Sequence, residues 1–489
     1  MMKSSATLGI DIGTSAVKVA IFDCDTRTCL GHASQRIPTR AHRDGRREQN
    51  PKAIRAALMS CVQSLRAKPA WKRIRSIGLA SQSGSTLFVN QKSGTTVSPL
   101  IVWNDGRATA ESAEIKQRIP TSLLRRSLFA TTPPAGLARL LWIQRNAREW
   151  LAKPNLHVGA GDWMYHALTG IWQQDAGSAI QIGSYNARTN RLDDTLLSCI
   201  KIPVSKFAPL RPANASAPLT AAAANRLGLM EGIPVAGPYF DQEASYIDAS
   251  QCSKQPLQVA LGTAWVGNFT LPSNVAGKSA TQIVVPHPTN TGKLIVQPLL
   301  AAGVLWDAAF ERFADSNPRR LLSVFRKALF PPAAVECFPI NVTNGAGLHF
   351  PIKSDSVHAD DLLRATSAML VFEFRRIFES ILAQRVADAI VLCGGASRAE
   401  HFQRLFAAVA APIPVMVQQD QDFSVARGAV HLFWTSNVKL PALKITRPDT
   451  AAKRAAQTGF EAYCEGHTRI YGKRSQSDAY TTKTTRPSK

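Results

Sequence analysis

The sequence predicts a two-lobed α/β fold built by duplication, and three stretches carry that prediction. The first is "LGIDIGTSAVKVAIFD": a strand from Leu8 to Ile12, a tight turn at Gly13-Thr14-Ser15, and a second strand from Val17 to Phe22. In the second, "LQVALGTAWVGNFTLP", Leu257 to Leu261 is a strand, Gly262-Thr263 the turn, and Ala264 to Phe269 the return strand. The third, "VLCGGAS", is a buried strand running into Gly394-Gly395 at the start of a helix. One strand–Gly-Thr–strand hairpin is commonplace. Two, each opening one half of the chain, point to two lobes with phosphates held between them, because turn N–H groups and hydroxyls bind anions. A Gly-Gly turn lets backbone approach a ligand closely. The plain alternative at each place is an ordinary turn, since Gly and Thr are common there.

The remaining elements follow in chain order. Pro51 to Arg66 has helical spacing, with Ile54, Ala57, Leu58, Cys61, Val62 and Leu65 on one face. "IRSIGLASQSGSTLFVN" is a strand, a small polar loop and another strand, and "SPLIVWNDGRAT" is an apolar strand followed by a helix. "LARLLWIQRN" and "DWMYHALTG" read as helices, the latter capped by Asp162 and stopped by Gly170. "LTAAAANRLGLMEGIPVAGPYFDQEAS" reads as a helix, a Gly-rich stop, a strand from Ile233 to Ala236 and a loop carrying Asp241. The strand before Gly394 is followed, after its turn, by an amphipathic helix and a strand ending "PVMV". From Thr435 the chain is polar and basic, and a helix followed by a loose tail is expected.

Composition narrows the function. The 489 residues allow two or three domains with full cores. The eight cysteines are scattered without a CxxC pair, so neither zinc nor a disulfide framework is expected. No apolar stretch approaches the roughly 18 residues of a membrane span. Only seven residues precede the first strand, too few for a signal peptide, so a reducing cytoplasm is expected. The net charge of +24 favours anionic substrates or partners. Arg36 to Arg75 is rich in Arg and Lys, with only Asp44 and Glu48 as acidic residues. There is, however, no zinc finger, basic zipper or aromatic RNA-binding signature, so no specific nucleic-acid partner is expected.

Taken together in order, the stretches resemble the FGGY carbohydrate kinases of the actin-like ATPase superfamily, over about residues 8 to 435. "GIDIGTSAVKVAIFD" is similar to the family's first phosphate hairpin, "WNDGRA" to its Trp-x-Asp-x-Arg stretch, and "DWMYHALTG" with Asp175 to its sugar-domain helix. "LTAAAANRLGLMEGIPVAGPYFDQ" resembles the stretch ending in the catalytic Asp-Gln pair. "LGTAWVG" resembles the second phosphate hairpin, "CGGAS" the adenosine loop and "DFSVARGAV" the closing Gly-Ala helix. The resemblance implies a duplicated ribonuclease H-like fold with its site in the interlobe cleft. It implies an N-terminal lobe over 1–245, a C-terminal lobe over 246–435 and a basic helix and tail over 436–489.

Its implied activity is transfer of the γ-phosphate of ATP, with Mg²⁺, to a sugar or polyol hydroxyl. A hydroxyl is a poor nucleophile and must lose its proton as it attacks. Asp241, with Gln242 beside it, is the expected base; capping of a helix from Gln242 to Ala249 is its plain alternative. Gln82, Ser83 and Asp105 join Asp241 and Gln242 as expected acceptor-binding residues. Asp11, Gly13, Thr14, Ser15, Lys18, Gly262, Thr263, Gly303, Gly394, Gly395 and Ala396 are the expected ATP-binding residues. Asp11 is expected to hold Mg²⁺ through water, as a hard cation prefers oxygen. Lys18 is read either as pointing to solvent or as reaching the phosphates.

Glycerol kinases of the family carry an Arg-Glu pair where this chain has Ser83 and Gly84, and xylulokinases a Met-His pair. The small loop resembles the ribulose/xylulose-kinase-like branch, implying a ketopentose such as D-ribulose or D-xylulose in a wider space. Two departures support an alternative, a degenerate sugar- or nucleotide-sensing protein on the same fold. The family's Gly-Glu-Arg-x-Pro segment is not recognisable where "FPINVTNGAGLHFPIKSD" stands, and the early Trp of the helix after "EQNP" is absent. Oligomeric state is left open, a homodimer being one option.

Overall fold

A computed structural model describes residues 4–262, 264–271, 282–289, 291–299, 302–333, 335–342, 345–351, 357–382, 387–418, 420–435 and 443–471. Two sheets organise them. The strands of the first are β1 (Ala6–Ile12), β2 (Ala16–Asp23), β3 (Cys29–Arg36), β4 (Ile74–Ser81), β5 (Ser216–Pro218) and β6 (Pro234–Phe240), in the order β5-β6-β4-β1-β2-β3. Those of the second are β7 (Pro256–Leu261), β8 (Trp265–Leu271), β9 (Ile283–Pro286), β10 (Lys293–Leu299), β11 (Ala389–Cys393), β12 (Val415–Gln418) and β13 (Leu443–Thr446), in the order β9-β10-β8-β7-β11-β12-β13.

The duplication expected from the two hairpins is present in the topology. β1 pairs antiparallel with β2 on one side and parallel with β4 on the other. β7 pairs antiparallel with β8 on one side and parallel with β11 on the other. Every residue of β1 is buried, which explains its nearly continuous apolar run. Helix α1 (Pro51–Arg66) begins on the Asn50 side chain, which accepts the Lys52 N–H at 2.9 Å, and buries the six apolar residues that its spacing singles out.

Three local expectations are corrected. Helix α2 (Ala160–Thr169) starts two residues before Asp162, which still caps it, its carboxylate reaching back from the third helical position to accept the Gly159 N–H at 2.6 Å; Gly170 ends it in the left-handed conformation, as expected. β6 continues past Ala236 to Phe240, because Gly237-Pro238 is absorbed as a register shift against β4 rather than forming a turn. Asp241 therefore lies in no loop: it is the first residue of a helix (Asp241–Ala249). At the C-terminal end, β13 precedes the helix Thr450–Tyr471, and the expected tail lies outside the described residues.

The lobes are joined where the short helix Ser424–Ala429 lies against the first sheet and the helix opened by Asp241. A Cβ at Gly9 would stand 2.3 Å from the Ala426 oxygen, and one at Gly428 only 1.8 Å from the Ala244 oxygen. Only glycine permits approach this close. Arg427 and Asp248 form a buried ion pair at 2.7 Å across the same junction.

Candidate active site

Three parallel neighbours, β6, β4 and β1, end in line. Phe240 pairs with Ser81, and Ser81 with Ile12. The residues that follow each strand therefore emerge together: Gly13-Thr14-Ser15 after β1, Gln82-Ser83-Gly84 after β4, and Asp241-Gln242 after β6. The carboxyl edge of a parallel sheet is where open α/β folds bind ligands. The second sheet repeats this, with Gly262 following β7 and Gly394 following β11.

Asp241 opens the helix α4 (Asp241–Ala249), with α3 (Ala176–Ile182) lying nearby in the first lobe. Its carboxylate accepts the Gln242 N–H at 2.9 Å. Its pKa is raised from 3.8 to about 8, chiefly by burial, then by the negative charges of Asp11 and Asp175. The residue keeps partial contact with solvent while protein encloses its carboxyl end. Gln242 faces the other lobe: its Oε1 accepts from Asn268 Nδ2 of β8 at 2.9 Å.

On the first hairpin, Asp11 is 5% exposed, and its Oδ1 is buried without a hydrogen-bond partner among the described residues. Burial raises its pKa to about 6, against the lowering effect of Lys18. An orphaned hard oxygen at the phosphate hairpin fits a Mg²⁺ held through water. Among the described residues no group of three or more His, Cys, Asp or Glu could hold a metal, so Asp11 would act with phosphate and water ligands rather than within a protein cage. Lys18 donates to the Asp422 carbonyl at 3.0 Å, which ties β2 to the second lobe and uses one of the three N–H donors of the ammonium.

Thr14 is the centre of a network that the sequence did not reveal. Its hydroxyl donates to Gln82 Oε1 at 3.2 Å and accepts from Trp103 Nε1 at 3.1 Å; its carbonyl accepts from Gln49 Nε2 at 2.6 Å. Gln82 Nε2 in turn donates to Gln49 Oε1 at 3.2 Å. The Thr14 hydroxyl and the Gln82 amide are thus engaged in positioning the turn, and Ser15 is exposed at its tip. Asp105 is placed differently from the expectation. Its side chain is fully enclosed, accepting from Arg107 Nε at 2.7 Å and from the Arg47 N–H at 2.5 Å, so it holds Arg107 and offers no surface to an acceptor.

The Gln82–Gly84 loop also departs from the wide space expected there. Gly84 has φ +65°, and the side chain of Gln181, on α3, stands against it. Gln181 Nε2 donates to Ser83 Oγ. Behind the loop Arg139, 2% exposed, donates to the Gly84 and Val102 carbonyls at 2.5 and 2.9 Å, and burial lowers its pKa to about 10. Gln49, Trp103, Arg139 and Gln181 were missed because their roles depend on contacts between residues distant in sequence. The Trp of "WNDGRA" was visible as part of a motif but not as a Thr14 partner.

In the second lobe, Gly394 has φ +85°, and a Cβ there would meet the Leu261 oxygen at 2.9 Å. Gly395 is exposed with open space around it, Ala396 is half-buried, and Ser397 Oγ closes the turn onto the Gly394 carbonyl at 2.7 Å. Gly262 is at the second hairpin turn; Thr263 lies outside the described residues. Gly303 is buried in the first turn of the helix Ala302–Ala314 and offers no exposed surface to a ligand.

Residues 6–247, which contain all of the first-lobe site, match the FGGY family of carbohydrate kinases, N-terminal domain. Over these residues, just under half of its length, the chain is similar to the FGGY carbohydrate kinases. A glycerol kinase of Polaromonas naphthalenivorans is 30% identical over 224 residues, 42% of this chain and 44% of that protein. One of Gloeobacter violaceus is 27% identical over 317 residues, 61% of this chain and 60% of that protein. The chain spans about half the length of the curated relatives it matches. The FGGY fold extends much further. A gluconate kinase structure from Lactobacillus acidophilus superposes with a TM-score of 0.83 at 20% identity, covering 95% of this chain and 98% of that one. The xylulose kinase from the same organism gives 0.82 at 19% over 96% and 99%. These likenesses show the two-lobed actin-like ATPase fold. Among the described residues no helix is long and apolar enough to cross a membrane, and all eight cysteines are free.

Proposed function

We propose that this chain transfers the γ-phosphate of ATP to a hydroxyl of an uncharged sugar, with a ketopentose, D-ribulose or D-xylulose, as the preferred acceptor. The observation that carries the reading is the placement of Asp241, a carboxyl with raised proton affinity, in line with the first phosphate turn and the Gln82–Gly84 loop. In this reading Asp241 accepts the acceptor's proton as its oxygen attacks the γ-phosphorus. Gln242 orients the reacting end. The turns at Gly13–Ser15 and Gly262 present N–H groups to the phosphates, and the open Gly395 lets adenosine approach the backbone. Residues 1–245 bind the acceptor and carry the first phosphate hairpin and Asp241, and 246–435 carry the second phosphate hairpin and the adenosine loop. Asp11 would hold Mg²⁺, which when bound neutralises charge on the phosphates.

Glycerol is the second reading, because the curated relatives named above are glycerol kinases. Against it stand Ser83 and Gly84, which lack the charged reach of an Arg-Glu pair. Coupled ADP release measured over pentuloses, pentitols, glycerol, hexoses and D-gluconate tests the proposal. Acceptor-dependent ADP release fastest with a ketopentose is expected. Fastest release with glycerol favours the second reading, and no acceptor-dependent release overturns both.

A further inference from the structure

Gln181 and Gly84 form one feature. A Cβ at position 84 would lie 2.5 Å from Gln181 Oε1 and 3.1 Å from its Cδ, so a side chain there and Gln181 exclude each other. The amide is held from both sides: Gln181 Nε2 donates to Ser83 Oγ and to the Gly177 carbonyl at 3.2 Å. Arg139 holds the Gly84 carbonyl from behind, so the loop cannot easily move aside. With both N–H groups of Nε2 engaged, Oε1 is the polar atom left over. It carries no hydrogen bond among the described residues, and the residue is half-buried rather than sealed in. An amide oxygen accepts and cannot donate.

We infer that Gln181 selects the acceptor, its Oε1 accepting a hydrogen bond from an uncharged hydroxyl at the end of the sugar remote from Asp241. This rests on the kinase reading above and adds a chemical class to it. A hydroxyl donates to Oε1. A carboxylate at the same place would set two acceptors against each other, so sugar acids are rejected even though the fold is shared with a gluconate kinase. The site tells ketoses and polyols from aldonates through one neutral atom, without the charged pair of the glycerol enzymes.

The test uses the full chain and the variants Gln181→Met, which keeps size but removes the polar atoms, and Gln181→Glu, which keeps an accepting oxygen while Ser83 turns its hydroxyl to donate. Binding of D-ribulose, D-xylulose, glycerol and D-gluconate is measured by calorimetry without nucleotide, and turnover by ADP release. Wild type should bind a ketopentose at least about tenfold more tightly than D-gluconate. Gln181→Met should lose about tenfold in ketopentose affinity, matching one lost hydrogen bond, with KM rising and kcat nearly unchanged. Gln181→Glu should stay within about threefold of wild type for ketopentoses. Unchanged affinity and acceptor ranking in Gln181→Met, at unchanged melting temperature, overturns the inference, as does tightest binding of D-gluconate by wild type. Gln181-dependent binding without ADP release overturns the kinase reading and leaves this one standing. Binding of none of the four overturns it.

Discussion

Replacing Asp241 with Asn removes a carboxyl that the folded chain keeps protonated up to about pH 8. In the unfolded chain the same group loses its proton near 3.8. Between these values the folded state binds more protons, so the group's contribution to stability is complete below the unfolded value and is lost as pH rises toward the folded one. The limiting slope is about 1.4 kcal/mol per pH unit. From about pH 5 to about pH 8 wild type should lose about 2–4 kcal/mol through this group, the lower figure allowing for its partial solvent contact. Asn has no proton to lose. Denaturant unfolding of both proteins, without nucleotide or metal, should show the stability of Asp241→Asn relative to wild type growing by about 2–4 kcal/mol between pH 5 and pH 8. The same variant should lose at least about a hundredfold in turnover while nucleotide affinity changes little. Parallel stability–pH curves for the two proteins would refute the electrostatic argument, and near-normal turnover would remove Asp241 from the chemistry.

Other perturbations test the neighbouring residues. Asp11→Asn removes the charge facing Asp241 and should shift the acid limb of kcat/KM to lower pH, read from a pH–rate profile in the wild type and the variant. Thr14→Val leaves the Gln82 amide and the Trp103 indole without their partner, and kcat/KM should fall by about 1–3 kcal/mol in transition-state terms with the fold retained by circular dichroism. Gly84→Glu sets a side chain against Gln181 at a positive φ, and ketopentose KM should rise at least about tenfold; untouched kinetics would show that the loop lies away from the acceptor. Asp248→Asn breaks the buried pair with Arg427 at the lobe junction and should cost about 3–5 kcal/mol in unfolding free energy.

What the sequence determined by itself is local and repetitive. Apolar runs that alternate with Gly-Thr and Gly-Gly turns are dictated by backbone chemistry, so both hairpins, the strand before Gly394 and the buried face of α1 were legible from residue order. The Asp-Gln pair could also be singled out, because its surrounding stretch has a recognisable pattern. Its setting was not legible. Gly237-Pro238 reads as a turn by propensity, and only the pairing of β6 with β4 shows that the strand absorbs it and delivers Asp241 to the start of a helix. Tertiary structure alone decided which polar groups are free to meet a ligand. Asp105 is consumed by Arg107 and the Thr14 hydroxyl by Gln82 and Trp103, while Lys18 gives one of its three donors to the Asp422 carbonyl, all through contacts that no spacing encodes. The space beside Gly84, open when read from the loop's own small residues, is occupied by Gln181, almost a hundred positions away. Whether a glycine leaves a cavity or makes room for a neighbour depends on what packs against it, and that is a property of the folded chain.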